Sequence, residues 1–154
     1  MTVTAADIMN RNLVVVHPFD NVSQVAKVLG EHGISAAPVV DAEGKMLGMV
    51  SEEDLMHRLG TTHESRRAWW LGMLAEGEDL APDFLEYLKM EKRTAKDIMT
   101  SEVISVTEDI PVADIVDLLV KHHIKRVPVL REDKVVGIVS RADIIRTIGT
   151  KLRG

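Results

Sequence analysis

The chain has no cysteine. That excludes a disulfide, a thiolate metal site and a cysteine nucleophile, and it fits a reducing compartment. Aromatic residues make up only 3% of the 154, so the core must be aliphatic, built from Val, Ile, Leu and Met. No apolar run approaches the roughly 20 residues of a membrane span. The N-terminus has no basic flank before an apolar core, so it does not read as a signal peptide. Positive charge is also short. The formal net charge is −5, which argues against nucleic-acid binding through bulk electrostatics. A cytoplasmic location is the expectation, with no membrane or nucleic-acid partner. No Ser-His-Asp order, metal-ligand cluster or Walker loop is present either. The sequence therefore predicts a binding module and no enzyme, with no catalytic cofactor and no metal. The length suffices for one well-buried domain or two small, tightly packed ones.

What the chain does have is repetition. Thr4-Ala5-Ala6-Asp7-Ile8-Met9 returns as Thr94-Ala95-Lys96-Asp97-Ile98-Met99. Val16, Val22, Leu29, His32 and Pro38 match Val106, Val112, Leu119, His122 and Pro128. After the next turn the offset shortens by one, so Gly48, Ser51 and Asp54 match Gly137, Ser140 and Asp143. Within each copy the patterns change in a fixed order. Leu13–Val16 is a short apolar run without alternation and predicts a strand buried on both faces. Val22 to Glu31 has helical periodicity, and Gly33 is placed to end that helix in a left-handed conformation. Two β-branched runs follow, on either side of a polar turn. In the second copy that turn is Arg131-Glu132-Asp133, and Pro128, which lacks a ladder donor, predicts an edge strand. Ser51 and Ser140 then open helices.

Two copies of the pattern hydrophobic-x-x-Pro-hydrophobic-hydrophobic, then Gly-hydrophobic-Val-Ser-x-x-Asp, each behind an Asp-Ile-Met lead-in, resemble a tandem pair of CBS (cystathionine β-synthase) domains. The resemblance covers residues 4–55 and 94–146. It implies an α+β fold of two β-α-β-β-α units packed with pseudo-twofold symmetry: residues 1–58, an insertion at 59–93, and residues 94–154. The insertion is longer than an ordinary connection. It holds Trp69, Trp70, Phe84 and Tyr87, four of the five aromatics. Its periodicity predicts two helices between Ser65 and Met90 that form a packing or dimer surface. Arg66-Arg67-Trp69-Trp70 as a nucleobase stack is the weaker reading.

Ser51-x-x-Asp54 and Ser140-x-x-Asp143 admit two readings with the same geometry. One is a capping box. The other is a binding site, because a helix start offers N–H groups and positive dipole to an anion. A carboxylate there can also accept both hydroxyls of a ribose. The resemblance implies the second reading: the Asp holds the ribose of an adenosine-containing ligand, with AMP, ADP or ATP first and NAD or S-adenosylmethionine as alternatives. It also implies sites crossed between repeats. One combines Asp143, Ser140 and Ile138 with Asn12, Val14, Ile34 and Ser35. The other combines Asp54, Ser51 and Met49 with Ile104, Ile124, Lys125 and Arg126, and Val14 or Ile104 meets the adenine edge through its backbone. Lys125-Arg126 suits phosphate, against the reading that it is a solvated basic edge. Glu102 and Glu108 are acids that would oppose it. His32 and His122 hold matching positions, which points to a fold role. The expected partners are the small molecule, a second copy of the chain, and an effector protein or downstream domain. A ligand-free scaffold is the competing class.

Overall fold

The computed structural model describes residues 2–59 and 92–153. The helices expected between Ser65 and Met90 lie outside the described residues. The first repeat consists of α1 (Ala5–Ile8), α2 (Val22–His32), β1 (Ala36–Val40), β2 (Met46–Ser51) and α3 (Glu52–Leu59). The second consists of α4 (Ala95–Ile98), β3 (Val106–Thr107), α5 (Val112–Lys121), β4 (Arg126–Arg131), β5 (Lys134–Ser140) and α6 (Arg141–Arg153). Pro38 in β1 and Pro128 in β4 occupy equivalent strands.

The compact units are not the repeats themselves. One unit joins residues 1–13 and 42–46 to residues 102–154, and the other joins residues 14–41 to residues 47–101. Each repeat has given its lead-in helix to the other unit. In the unit around the first repeat, Ala95 and Ile98 of α4 are fully buried with Val16, Val25, Val39 and Val50. The backbone N–H groups of Ala95 and Lys96 donate to the carbonyls of Asp20 and Pro18. In the unit around the second repeat, Ala5 and Met9 pack with Ile115, Val127, Val129 and Val139, and Ala5 and Ala6 donate to Ile110 and Glu108. The Thr-Ala-x-Asp sequence explains the lead-in helices. Asp7 Oδ2 accepts from the Thr4 N–H at 2.8 Å and Asp97 Oδ2 from the Thr94 N–H at 2.8 Å, which caps a helix of a single turn. These bonds, with those from the threonine hydroxyls, hold both carboxyls below the ordinary aspartate range. Sequence reading passed over these two boxes, although the spacing that marks Ser51–Asp54 is present in both.

The proline expectation needs correction. The sheet order is β3-β4-β5, so Pro128 lies in the central strand. Its missing donor is tolerated because of register. In the first repeat the Val16 N–H donates to the Pro38 carbonyl and the Val40 N–H to the Val16 carbonyl. On that edge of the parallel pair, the preceding donor would be the nitrogen of residue 38, which carries no hydrogen. Pairing therefore begins at Val16, and Leu13–Val15 form no strand, contrary to expectation. Only Val16 is fully buried in that run. The second repeat pairs Val106 with Val129 in the same register, so β3 is equally brief.

The predicted left-handed cap is present: Gly33 has φ +60°. Its counterpart His123 takes φ +53° without being glycine. The turn between β4 and β5 is tighter than the expected tripeptide, because Arg131 pairs with Lys134 and only Glu132 and Asp133 remain. Both have positive φ, +50° and +68°, which is a type I′ turn built from residues that resist it. Glu132→Asn combined with Asp133→Gly is therefore expected to stabilise the chain by about 1 kcal/mol. Urea melts would read this as a higher midpoint at unchanged slope. An unchanged or lowered midpoint would contradict the turn assignment.

Candidate functional site

The two Ser-x-x-Asp motifs stand where β2 runs into α3 and β5 runs into α6. Ser51 N–H and Oγ–H both donate to Asp54 Oδ2, at 2.9 and 3.0 Å, and the Asp54 N–H donates back to Ser51 Oγ at 3.2 Å. Ser140 and Asp143 repeat the arrangement at 2.8, 2.9 and 3.2 Å. The capping reading is thus correct in both repeats. The first N–H of α3, from Glu52, donates to the Ser35 carbonyl at 2.9 Å, and that of α6, from Arg141, to the Lys125 carbonyl at 3.0 Å. Much of the donor capacity of each helix start is spent within the protein, so these termini offer an anion less than the motif alone suggests. What remains on each motif is the second carboxylate oxygen, Oδ1.

That oxygen differs between the two. Asp54 Oδ1 accepts from Thr100 Oγ1 at 3.2 Å. Asp143 Oδ1 accepts from the Arg146 guanidinium at 3.2 Å. Thr100 matches Asn10 in the repeat, and Asn10 instead accepts the Asn12 N–H at 3.0 Å. The lead-ins reach the motifs through short two-way bridges. Met49 and Thr100 exchange backbone bonds of 3.0 and 2.8 Å, and Ile138 and Asn10 exchange bonds of 3.1 and 2.8 Å. These bridges account for the two motif glycines. A Cβ on Gly48 would lie 2.6 Å from the Thr100 carbonyl oxygen, and one on Gly137 would lie 2.5 Å from Met9 Sδ.

The structure divides the remaining residues by unit. Asn12, Ile104, Ile124, Lys125, Arg126 and Ile138 lie in the unit of Ser140 and Asp143. Val14, Ile34, Ser35 and Met49 lie in the unit of Ser51 and Asp54. The resemblance groups Lys125 and Arg126 with Asp54; both residues belong to the unit that holds Asp143. Arg126 is the cross-strand partner of Ser140, and the Lys125 carbonyl caps α6. Lys125 is exposed and Arg126 half-buried. The local charge at the two motifs is opposite. The first turn of α3 reads Glu52, Glu53, Asp54, while the first turns of α6 carry Arg141 and Arg146, the latter paired with Asp143. Glu108 is committed elsewhere. It makes a two-bond pair with Arg131, 2.6 and 2.7 Å, which holds its carboxyl below the usual range. Beside Asp143 opens a cavity of ≈ 510 Å³ bordered by α1 and α6, with Asp7, Ile8, Arg146 and Thr147 in its wall.

His32 and His122 serve the fold. A ring nitrogen of His32 bonds the Val28 carbonyl at 2.9 Å, and His122 caps α5. Among the described residues no three His, Asp or Glu side chains gather as a metal site, and no helix is long and apolar enough to cross a membrane.

A pair of repeats with a Ser-x-x-Asp helix start at the end of each hairpin defines a class of tandem binding modules. The CBS domain model matches residues 5–61 and 95–150, and the chain belongs to the CBS domain family. Among curated proteins, an uncharacterized protein of Methanocaldococcus jannaschii is 32% identical over 92% of this chain and 89% of its own length. The L-aspartate semialdehyde sulfurtransferase of the same organism is 30% identical over 94% of this chain, which spans 23% of that enzyme. Among solved structures, a CBS domain pair in complex with methylthioadenosine and S-adenosyl-L-methionine superposes with a TM-score of 0.70 at 28% identity, covering 98% of this chain and 99% of that one. The CBS domain of a membrane protein from Sphaerobacter thermophilus gives 0.73 at 31% identity, covering 94% and 87%.

Proposed function

We propose that this chain is a regulatory module, and no enzyme, that binds an adenosine-containing ligand beside α3 and α6 and signals by population shift. A ligand that prefers one conformation biases the equilibrium by its differential affinity. The observation that carries the reading is the capping geometry. In both repeats the cap uses one oxygen of the aspartate, and the other, which accepts a single bond from Thr100 or Arg146, has a second lone pair for a ribose hydroxyl. The complex of a related domain pair with two adenosine-containing ligands supports the ligand class.

The proposed α6 site consists of Asp143, Ser140, Ile138, Asn12, Ile124, Lys125 and Arg126, and the proposed α3 site of Asp54, Ser51, Met49, Ile34 and Ser35. Val14 and Ile104 supply backbone to the adenine edge. The α6 site takes the phosphorylated ligand, AMP, ADP or ATP. The helix starts are largely self-satisfied, so the phosphate must be held by side-chain cations, and Lys125, Arg126 and Arg141 belong to the unit of Asp143. The α3 site has the acids Glu52 and Glu53 in their place. Repulsion there disfavours phosphate and suits a neutral nucleoside or the positively charged sulfonium of S-adenosylmethionine.

Thermal melts with AMP, ATP, NAD, adenosine and S-adenosylmethionine test this. A ligand at a hundred times its Kd adds about 2.7 kcal/mol to stability, a rise of roughly 5–10 °C for a chain of this size. Stabilisation by AMP or ATP is the expected result. A folded chain whose midpoint no adenosine compound moves would leave the scaffold class in its place.

A further inference from the structure

We infer that the α6 site takes an adenosine whose ribose carries a phosphate on one of its two hydroxyls, and that Arg146 and Lys151 select it. The inference rests on the proposal that Asp143 holds a ribose, and it follows from the acceptors left on that carboxylate. A carboxylate oxygen accepts two hydrogen bonds, one per lone pair. Asp143 Oδ2 already accepts from the Ser140 N–H and Oγ–H, at 2.8 and 2.9 Å. Asp143 Oδ1 accepts from Arg146 Nη1 at 3.2 Å. One lone pair remains, and it serves one ribose hydroxyl. A guanidinium has no acceptor, so the second hydroxyl finds no partner in this pair. The α3 motif is different. Asp54 Oδ1 accepts from the Thr100 hydroxyl at 3.2 Å, and a hydroxyl accepts as well as donates. There one ribose hydroxyl can go to Asp54 and the other to Thr100, so that motif matches an unsubstituted ribose.

The surroundings of Arg146 decide what replaces the second hydroxyl. The cavity of ≈ 510 Å³ beside Asp143 has Arg146, Thr147, Thr150 and Lys151 of α6 in its wall, with Asp7 and Ile8 of α1. The threonine hydroxyls have no proton for a ligand, because Thr147 donates to the Asp143 carbonyl at 2.9 Å and Thr150 to the Arg146 carbonyl at 3.0 Å. The side-chain donors that remain on α6 are cationic. Among the described residues Arg146 bonds only to Asp143, and Lys151 is in no hydrogen bond or ion pair. Asp7 opposes an anion by charge, but its Oδ2 is tied to Thr4, and each acid of the wall is matched by one base. An anion is therefore held there by directed N–H bonds and not by an excess of positive charge. A phosphate ester on the ribose suits this arrangement. It removes the hydroxyl that lacks an acceptor and gives the guanidinium fork oxygens to bind. Dinucleotide-binding folds divide the work in the same way: an acid accepts the free 2′-hydroxyl, and an arginine accommodates a 2′-phosphate. A deoxyribose would also remove the hydroxyl, but it would leave both cations unused.

The test is calorimetry on the full chain with adenosine 2′,5′-bisphosphate, adenosine 3′,5′-bisphosphate and ADP, which carry the same number of phosphates. One of the two bisphosphates is expected to bind about tenfold tighter than ADP, the worth of one charge-assisted contact. The isomer that does so identifies the hydroxyl that faces Arg146. Arg146→Ala is expected to bring the ratio of that bisphosphate to ADP close to one, and Lys151→Ala to reduce it in part. The Arg146 side chain is 73% exposed, so its loss should leave the cooperative melt intact. Binding of ADP with neither bisphosphate preferred would overturn the inference and leave the adenosine reading standing. A preference that survives both substitutions would also overturn it, since another group would then read the ribose. Absence of binding by all three would remove the reading of α6 as a nucleotide site, and this inference with it.

Discussion

Gly48→Ala is expected to lower stability by about 3 kcal/mol, and Gly137→Ala by about half as much, although the two glycines occupy the same place in the repeat. The difference lies in what an added methyl meets. At Gly48 it meets the Thr100 carbonyl oxygen at 2.6 Å, with Met99 Sδ at 2.8 Å behind it. A backbone carbonyl already bonded to the Met49 N–H at 3.0 Å cannot retreat without breaking the bridge that ties α4 to β2. At Gly137 every close atom belongs to the Met9 side chain. An unbranched thioether with several rotatable bonds can turn aside for a smaller cost. The lead-in bridges also position Asp54 and Asp143, so the first substitution should damage ligand binding along with stability. Urea or thermal melts of the two variants measure the difference, which corresponds to roughly 4–6 °C in midpoint for this chain length. Equal costs, or a larger cost at Gly137, would mean that the crossing of α4 over β2 is looser than described.

Arg126→Ala is expected to weaken AMP binding by 10- to 100-fold or more and to leave adenosine binding nearly unchanged. A charge-assisted contact to phosphate contributes about 1.5–3 kcal/mol, and every 1.4 kcal/mol is about a factor of ten. Adenosine has no phosphate to lose. The partner of that cation is the sharper question. The resemblance joins Arg126 to Asp54, while the strand register sets it against Ser140. A double-mutant cycle separates the two. If the phosphate site is built on α6, Arg126→Ala and Asp143→Asn fail to add, because each disables the same binding event, whereas Arg126→Ala and Asp54→Asn add. Asparagine is the appropriate replacement, since it removes the charge while keeping an acceptor for the cap. Calorimetry with AMP and adenosine reads each corner of the cycle. Coupling of Arg126 to Asp54 would restore the crossed grouping, and equal loss of AMP and adenosine on Arg126→Ala would show that the arginine supports only the fold.

Much of the molecule was legible in its residues because the controlling interactions are local. Val22 to Glu31 announced a helix through its spacing, and Gly33 its end, since a left-handed residue costs glycine little. Ser51–Asp54 and Ser140–Asp143 announced their helices because a capping box closes within four residues. The aliphatic core followed from the scarcity of aromatics. The repeat itself needed only the chain compared with itself. Register, by contrast, involves two strands at once. Pro128 looked like an edge residue, and it sits in the middle of a sheet because its missing N–H faces a neighbour that pairs only from Val106 onward. The same cause removed the strand expected at Leu13–Val16.

The order of the elements, the places of the caps and the identity of the paired Gly, Ser and Asp positions were therefore determined by sequence alone, through contacts three or four residues long. Only the tertiary structure decided that each lead-in serves the other repeat's unit, and that strand register sets Arg126 against Ser140. The physical reason is that a one-turn helix such as Ala5–Ile8 has no stable position of its own. It is held by the carbonyls of Glu108 and Ile110, about a hundred residues away, and no local pattern records that distance.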